Sequence, residues 1–385
     1  MIIPQEFDAI RPYTPEELPA VFEELFADPE FLAVVQQVMG PQATPEVLRA
    51  QLAQCQTILD VQKTFILPLM IDLLKRCSDG CHMDSSALPD KMVGYTFVSN
   101  HRDIVLDSAL LSVLLIGNGF PTTVEIAIGD NLLIRPWIEK LVRVNKSFIV
   151  RRSVGIREML AASSLMSRYM HFAIAEKHEN VWIAQREGRA KDSNDRTQES
   201  VLKMMAMGGE GTPAERLAAL RIVPLSISYE YDPCDYLKAQ EFQQKRDNPD
   251  FRKSKADDLQ NMQIGIFGRK GRIHYQAAPC INTWIDELAD LPKAQFFTAL
   301  AQRMDREIHR RYRLYPTNCI AADLLDGDGA FADRYTREDR EAFEHYVAQR
   351  VALIDLPNKD EDYLRERILT MYANPARNQR RALEA

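Results

Sequence analysis

The residues best equipped for chemistry sit together at Asn100-His101-Arg102-Asp103. They follow a short run that reads as a strand, 95–99 (YTFVS), and precede an apolar stretch that reads as a helix, 104–115 (IVLDSALLSVLL). An imidazole near neutral pH is suited to taking the proton of a hydroxyl as its oxygen attacks a carbonyl carbon. It then needs a carboxylate to hold its tautomer and to stabilise the cation that forms, and Asp107 and Asp103 are both candidates. In an open α/β sheet, ligands bind where strands end, and an ionisable quartet there is costly to bury unless it is paired or used. The competing reading of His101, taken alone, is a histidine that caps or tethers a loop.

Two further groups follow candidate strands. Arg151 and Arg152 come directly after 147–150 (SFIV), where a guanidinium offers a planar fork of donors to a phosphate. A solvated charge pair is the plainer reading. The run 180–184 (NVWIA) leads into Gln185-Arg186-Glu187-Gly188-Arg189, with Lys191, Arg196 and Lys203 beyond it. A lone Glu-Gly-Arg is only a turn, but basic residues gathered after a strand favour an anion cradle. No Gly-x-Ser-x-Gly elbow is present, and Cys77, Cys81 and Cys234 have no recognisable histidine partner by spacing, which argues against a covalent acyl-enzyme. Cys77, Cys81 and His82 lack a second half-site, so neither a metal nor any other cofactor is expected, and the six cysteines read as reduced thiols.

The elements that must position these groups are alternating strands and helices. Strands are predicted at 95–99, 123–128, 147–150, 180–184, 222–228, 262–267 and 272–276, and helices at 106–116, 156–177 and 197–207. This alternation predicts an α/β fold with a largely parallel sheet flanked by helices. The pair around Gly268-Arg269-Lys270-Gly271 reads as a hairpin, making the sheet mixed. Residues 1–90 read as a helical subdomain, with starts at Thr14-Pro15-Glu16-Glu17 and Thr44-Pro45-Glu46. Residues 91–325 then form a catalytic domain and 326–385 a helical extension.

A formal charge of −7 makes nucleic acid an unexpected partner, although a local basic patch can still hold a phosphorylated ligand or face an anionic bilayer. The most lipid-like windows, 64–74 and 104–115, are too short to span a bilayer and each carries an aspartate. With no leader-like N-terminus, the expectation is a cytoplasmic protein, peripheral at the inner face of the membrane.

On these residues the sequence resembles the glycerolipid acyltransferases, which acylate glycerol 3-phosphate or 1-acylglycerol 3-phosphate. Asn100-His101 resembles the family's first block, a histidine followed after four residues by an aspartate. Asp107 lies one residue farther and Asp103 three nearer. Asp107 is preferred, because an extra residue can be absorbed where the loop meets the helix. Phe148-Ile149-Val150-Arg151-Arg152 resembles the second block. Trp182-Ile183-Ala184-Gln185-Arg186-Glu187-Gly188-Arg189 resembles the third, with Ala190 where the family has arginine, so that its phosphate role would pass to Arg189 or Lys191. Ile222-Val223-Pro224-Leu225 resembles the fourth, an apolar strand able to line an acyl slot, and Tyr315-Pro316-Thr317-Asn318 resembles a downstream segment.

The resemblance covers about 93–325 and implies direct transfer from acyl-CoA or acyl carrier protein to a phosphorylated glycerolipid hydroxyl. His101 would be the base and Asp107 its orienting partner. Arg151, Arg152, Arg189 and Lys191 would hold the phosphate at Gly188, with Glu187 anchoring those arginines or a substrate hydroxyl. The rival readings are acyl transfer to an aminolipid precursor, a noncatalytic lipid or acyl-carrier binding protein, and, more remotely, a hydrolase.

Overall fold

The computed structural model describes residues 2–152 and 155–384. Strands β1 (Ser78–Asp84), β2 (Thr96–Ser99), β3 (Val124–Gly129), β4 (Ser147–Val150), β5 (Asn180–Ala184), β6 (Ile222–Tyr229) and β7 (Gly271–Ala277) form one sheet in the order β1-β7-β6-β2-β5-β3-β4. From β6 through β2, β5 and β3 to β4 the pairing is parallel, whereas β7 runs antiparallel to β6 and β1 parallel to β7. The fold is α/β, a mixed and mostly parallel sheet flanked by helices. Its five co-directional strands bring the residues after β2, β3, β4, β5 and β6 to one edge.

Alternation along the strands explains the two layers of core. Val98, Phe148, Val181, Ile183 and Ile222 face one side, covered by helices Ile156–Ala175 and Lys293–His309. Phe97, Val124, Trp182, Val223, Leu225 and Tyr275 face the other, covered by helix Leu106–Gly117. A two-residue side-chain period buried on both faces makes central strands nearly all apolar, which is why they were legible as β runs.

Two expectations are corrected. The run 262–267 (MQIGIF), predicted as a strand of a hairpin, lies in helix Lys255–Phe267. That helix starts at a reciprocal cap: Ser254 Oγ accepts from the Asp257 amide at 3.2 Å, and Asp257 Oδ2 accepts from the Ser254 amide at 2.7 Å. The cap sets a helical period through an apolar stretch too short to declare its own. Consequently β7 takes β6 as its antiparallel partner, with Ile227 opposite Tyr275 and Tyr229 opposite Ile273.

The stretch 78–84, within the segment read as helical, is strand β1. Its sequence, SDGCHMD, is mostly polar, and it pairs only with β7, across a register shift between Ser78 and Cys81. An outer strand of this kind has no alternating apolar pattern to announce it. The preceding helices form a separate cluster around Leu25, Phe31, Leu48 and Phe65. At the other end, helices Arg337–Ala352 and Glu361–Glu384 pack on Pro316–Asp326 through Ile320, Phe343, Val347, Leu364 and Ile368. Among the described residues no helix is long and apolar enough to cross a membrane, and all six cysteines are free thiols.

Candidate active site

Asn100 ends the central strand by continuing its ladder with a side chain. Its Nδ2 donates to the Ile227 carbonyl at 2.9 Å, and its Oδ1 accepts from the Ile227 amide at 2.8 Å. The main chain is thereby free to turn off the sheet, and the next residue, His101, is placed at the edge where the parallel strands end. The imidazole packs edge-on to Trp182 of β5 with centroids 5.4 Å apart. It keeps 14% of its side-chain surface exposed, enough to meet a substrate.

The two candidate carboxylates have separate tasks. Asp103 Oδ1 accepts from the amides of Val105 (2.9 Å) and Leu106 (2.8 Å), so Asp103 caps the start of helix Leu106–Gly117. Asp107, in that helix's first turn, accepts from His101 Nδ1 at 2.8 Å through Oδ2. The same oxygen accepts from the amides of Arg102 (2.6 Å) and Asp103 (3.1 Å), and Oδ1 accepts from the Tyr229 hydroxyl at 3.1 Å. A carboxylate that serves only as acceptor obliges His101 to carry its proton on Nδ1, leaving the Nε2 lone pair free.

Behind this pair lies a second buried one. Arg102 Nη2 meets Asp195 Oδ2 at 3.0 Å, with both side chains almost fully buried. Burial pushes the Asp195 carboxyl above the ordinary range, and Arg102 works against that shift. Burial likewise raises the Asp103 carboxyl, reinforced by the charge of Asp107. Helix Lys255–Phe267 closes over the loop so tightly that a Cβ on Gly265 would lie 2.2 Å from Asp103 Oδ2.

The basic residues lie along the same edge but not in equivalent states. Gly188 adopts φ +64°, the left-handed region that favours glycine, and this turns the chain after β5. Arg186 is half-buried and, among the described residues, makes no hydrogen bond or ion pair. Arg189 touches Asn261 at 3.5 Å. Lys191 is engaged by the buried Glu241, which also binds Lys245 at 2.9 Å. Arg151 is exposed after β4, and Arg152 stands 3.9 Å from Glu187, whose side chain is 73% exposed. β4 lies three strand spacings from β2, about 14 Å along the edge, whereas Arg186 and Arg189 follow the adjacent strand.

Pro224 is buried inside β6 opposite Val98, below the edge rather than on it. The structure therefore brings His101, Asp107 and Asp103 together and sets Arg186 and Arg189 on the strand beside them. It keeps Lys191 occupied, Arg151 and Arg152 farther out, and Pro224 within the sheet. Tyr229, Asp195 and the burial of Arg102 carried no local sequence signal, because their partners are distant in the chain.

No protein-family model matches the chain, and no curated protein is similar to it in sequence. Among solved structures it is similar to the crystal structure of the 1-acyl-sn-glycerophosphate (LPA) acyltransferase PlsC from Thermotoga maritima. The match has 13% identity and a TM-score of 0.38, and covers 75% of this chain and 95% of that one.

Proposed function

We propose that this chain is an acyltransferase moving a fatty acyl group from a thioester, acyl-CoA or acyl carrier protein, to a hydroxyl of glycerol 3-phosphate or 1-acylglycerol 3-phosphate. The observation that carries the reading is the His101–Asp107 pair, 2.8 Å apart, at the end of a central parallel strand and on the same edge as several guanidinium groups. His101 Nε2 accepts the acceptor's hydroxyl proton as that oxygen attacks the thioester carbonyl. The carbon–sulfur bond then breaks, an ester forms, and the imidazolium returns its proton to the departing thiolate. Asp107 holds the ring and stabilises the imidazolium.

A phosphate on the acceptor is the natural counter-ion for Arg186 and Arg189, the guanidiniums nearest in strand order, with Arg151 and Arg152 extending the basic edge. The lipid products and lipid-like acceptor imply peripheral contact with a membrane, at its inner face if the chain works in the cytoplasm.

The test is product identification. Purified protein is incubated with labelled acyl-CoA or acyl carrier protein and an equimolar panel of glycerol 3-phosphate, 1-acylglycerol 3-phosphate and aminolipid precursors, and labelled lipids are identified by mass. A single acylated glycerophosphate supports the reading. Labelled aminolipid alone would replace the acceptor, and no product from either donor would overturn the enzymatic reading.

A further inference from the structure

We infer that Tyr229 is a positioning residue for the His101–Asp107 pair, its hydroxyl fixing the plane of the Asp107 carboxylate and thereby the orientation and basicity of His101. This rests on the acyl-transfer reading and deepens it.

The terminal torsion of an aspartate is broad, so its own rotamer preference does not fix the plane of the carboxylate. Here the plane is set by donors. Three converge on Oδ2, from His101, Arg102 and Asp103, while Oδ1 has the Tyr229 hydroxyl at 3.1 Å. Asp107 is only 1% exposed, so an Oδ1 deprived of that hydroxyl has no bulk water to turn to. A buried acceptor without a partner is costly, and the carboxylate would rotate or share the amide donors of Oδ2. Either response disturbs the bond to His101.

The sheet register explains why a tyrosine can reach this point. Ile227 lies opposite Tyr275 and Tyr229 opposite Ile273, so the two tyrosines occupy one face of neighbouring strands β6 and β7. Tyr275 also grips Asp107, but by its main chain, donating to the backbone carbonyl at 2.9 Å. One residue is therefore held at two places by two similar hydroxyls, and only one of them touches the carboxylate. Tyr275, whose hydroxyl also interacts with that of Tyr229, is the comparison residue that holds Asp107 away from its carboxylate.

Several other ionisable groups contribute to the local field. Arg102, Asp103 and Asp195 lie around the His101 loop, and Cys81 of β1 faces the tyrosine pair. None of these groups is removed by changing Tyr229 to phenylalanine.

The test compares Tyr229→Phe with Tyr275→Phe in the full chain by pH–rate profiles, thermal unfolding and NMR titration of labelled histidine, with the His101 signal assigned by its loss in His101→Ala. Tyr229→Phe is expected to lower kcat about 10- to 100-fold with KM nearly unchanged, the loss expected when a hydrogen bond to a charged group is removed from the catalytic pair. A carboxylate rotated away from the ring stabilises the imidazolium less, so the His101 titration and the acid limb of the profile should both move downward. Tyr275→Phe should lose comparable thermal stability and move the titration by clearly less, since its hydroxyl reaches the carboxylate only through Tyr229.

The inference is overturned if His101 titrates identically in wild type and Tyr229→Phe, or if both variants shift it equally. Should the wild-type protein give no acylated product, the transfer reading fails separately, while the titration still decides whether Tyr229 governs His101.

Discussion

Asp107→Asn removes one charge from the His101–Asp107 pair and almost none of its shape. Oδ2 accepts from the amides of Arg102 (2.6 Å) and Asp103 (3.1 Å) as well as from His101 Nδ1 (2.8 Å), so an NH₂ group in that position would face three donors. The asparagine must keep its oxygen there and turn its NH₂ towards the Tyr229 hydroxyl, which can accept. His101 consequently retains the tautomer with Nε2 free, and the variant loses charge rather than geometry.

Hydrogen bonds to charged groups contribute roughly 1.5–3 kcal/mol and neutral ones about 0.5–1.5 kcal/mol. The difference of about 1–2 kcal/mol corresponds to a fall of about 5- to 30-fold in kcat. A reversed tautomer would instead cost on the order of 10⁴-fold. Initial rates of thiol release that depend on the acceptor measure this directly, with circular dichroism melts to show that the fold persists. A variant within twofold of wild type would refute the role of the Asp107 charge. A loss near 10⁴-fold would refute the deduced amide orientation.

Breaking the buried Arg102–Asp195 pair with Arg102→Met should destabilise the protein by about 3–5 kcal/mol in urea unfolding, and adding Asp195→Asn should recover part of the loss. Gly265→Ala places a methyl 2.2 Å from Asp103 Oδ2, on a carboxylate whose Oδ1 is held by hydrogen bonds from two amides, so the melting temperature should fall despite alanine's better helix propensity. His309 donates through Nε2 to the Asp195 carbonyl at 2.9 Å, and burial, with Arg196 nearby, holds its ring down to about 4 against the ordinary 6.5. Between those values the unfolded chain binds more protons, so stability should decline by about 3 kcal/mol as pH falls through that window. His309→Gln should flatten that decline in melts recorded across the same range.

What could be read in advance followed from the range over which each signal acts. The strands that became β2 to β6 were legible because central parallel strands are continuously apolar, and the proximity of His101 to an aspartate was legible because both lie in one short stretch. Asp107 was already preferred on spacing, and the structure adds a physical reason: Asp103 is occupied by the amides at the start of the helix, while Asp107 meets His101. The contact between Tyr229 and Asp107 spans 122 positions and could not be inferred from spacing. Arg102 had no partner within reach of the local sequence, because Asp195, against which it is buried, lies on a loop after β5. Lys191 looked like a phosphate ligand, and its engagement with Glu241 depends on helix Asp235–Asp247 returning to the site. The errors at 78–84 and 262–267 arose where a polar outer strand and a short apolar helix end each lacked a decisive period.

His101, the base of the proposed transfer, provides the most direct test. With saturating acyl thioester and a phosphorylated glycerolipid acceptor, kcat is compared between wild type and His101→Ala, and both are melted to verify their folds. The expected result is a loss on the order of 10²- to 10⁴-fold with the melting temperature essentially retained. A folded His101→Ala protein that still transfers acyl groups within about threefold of wild type, less than any loss expected for a general base, would contradict the assignment of His101.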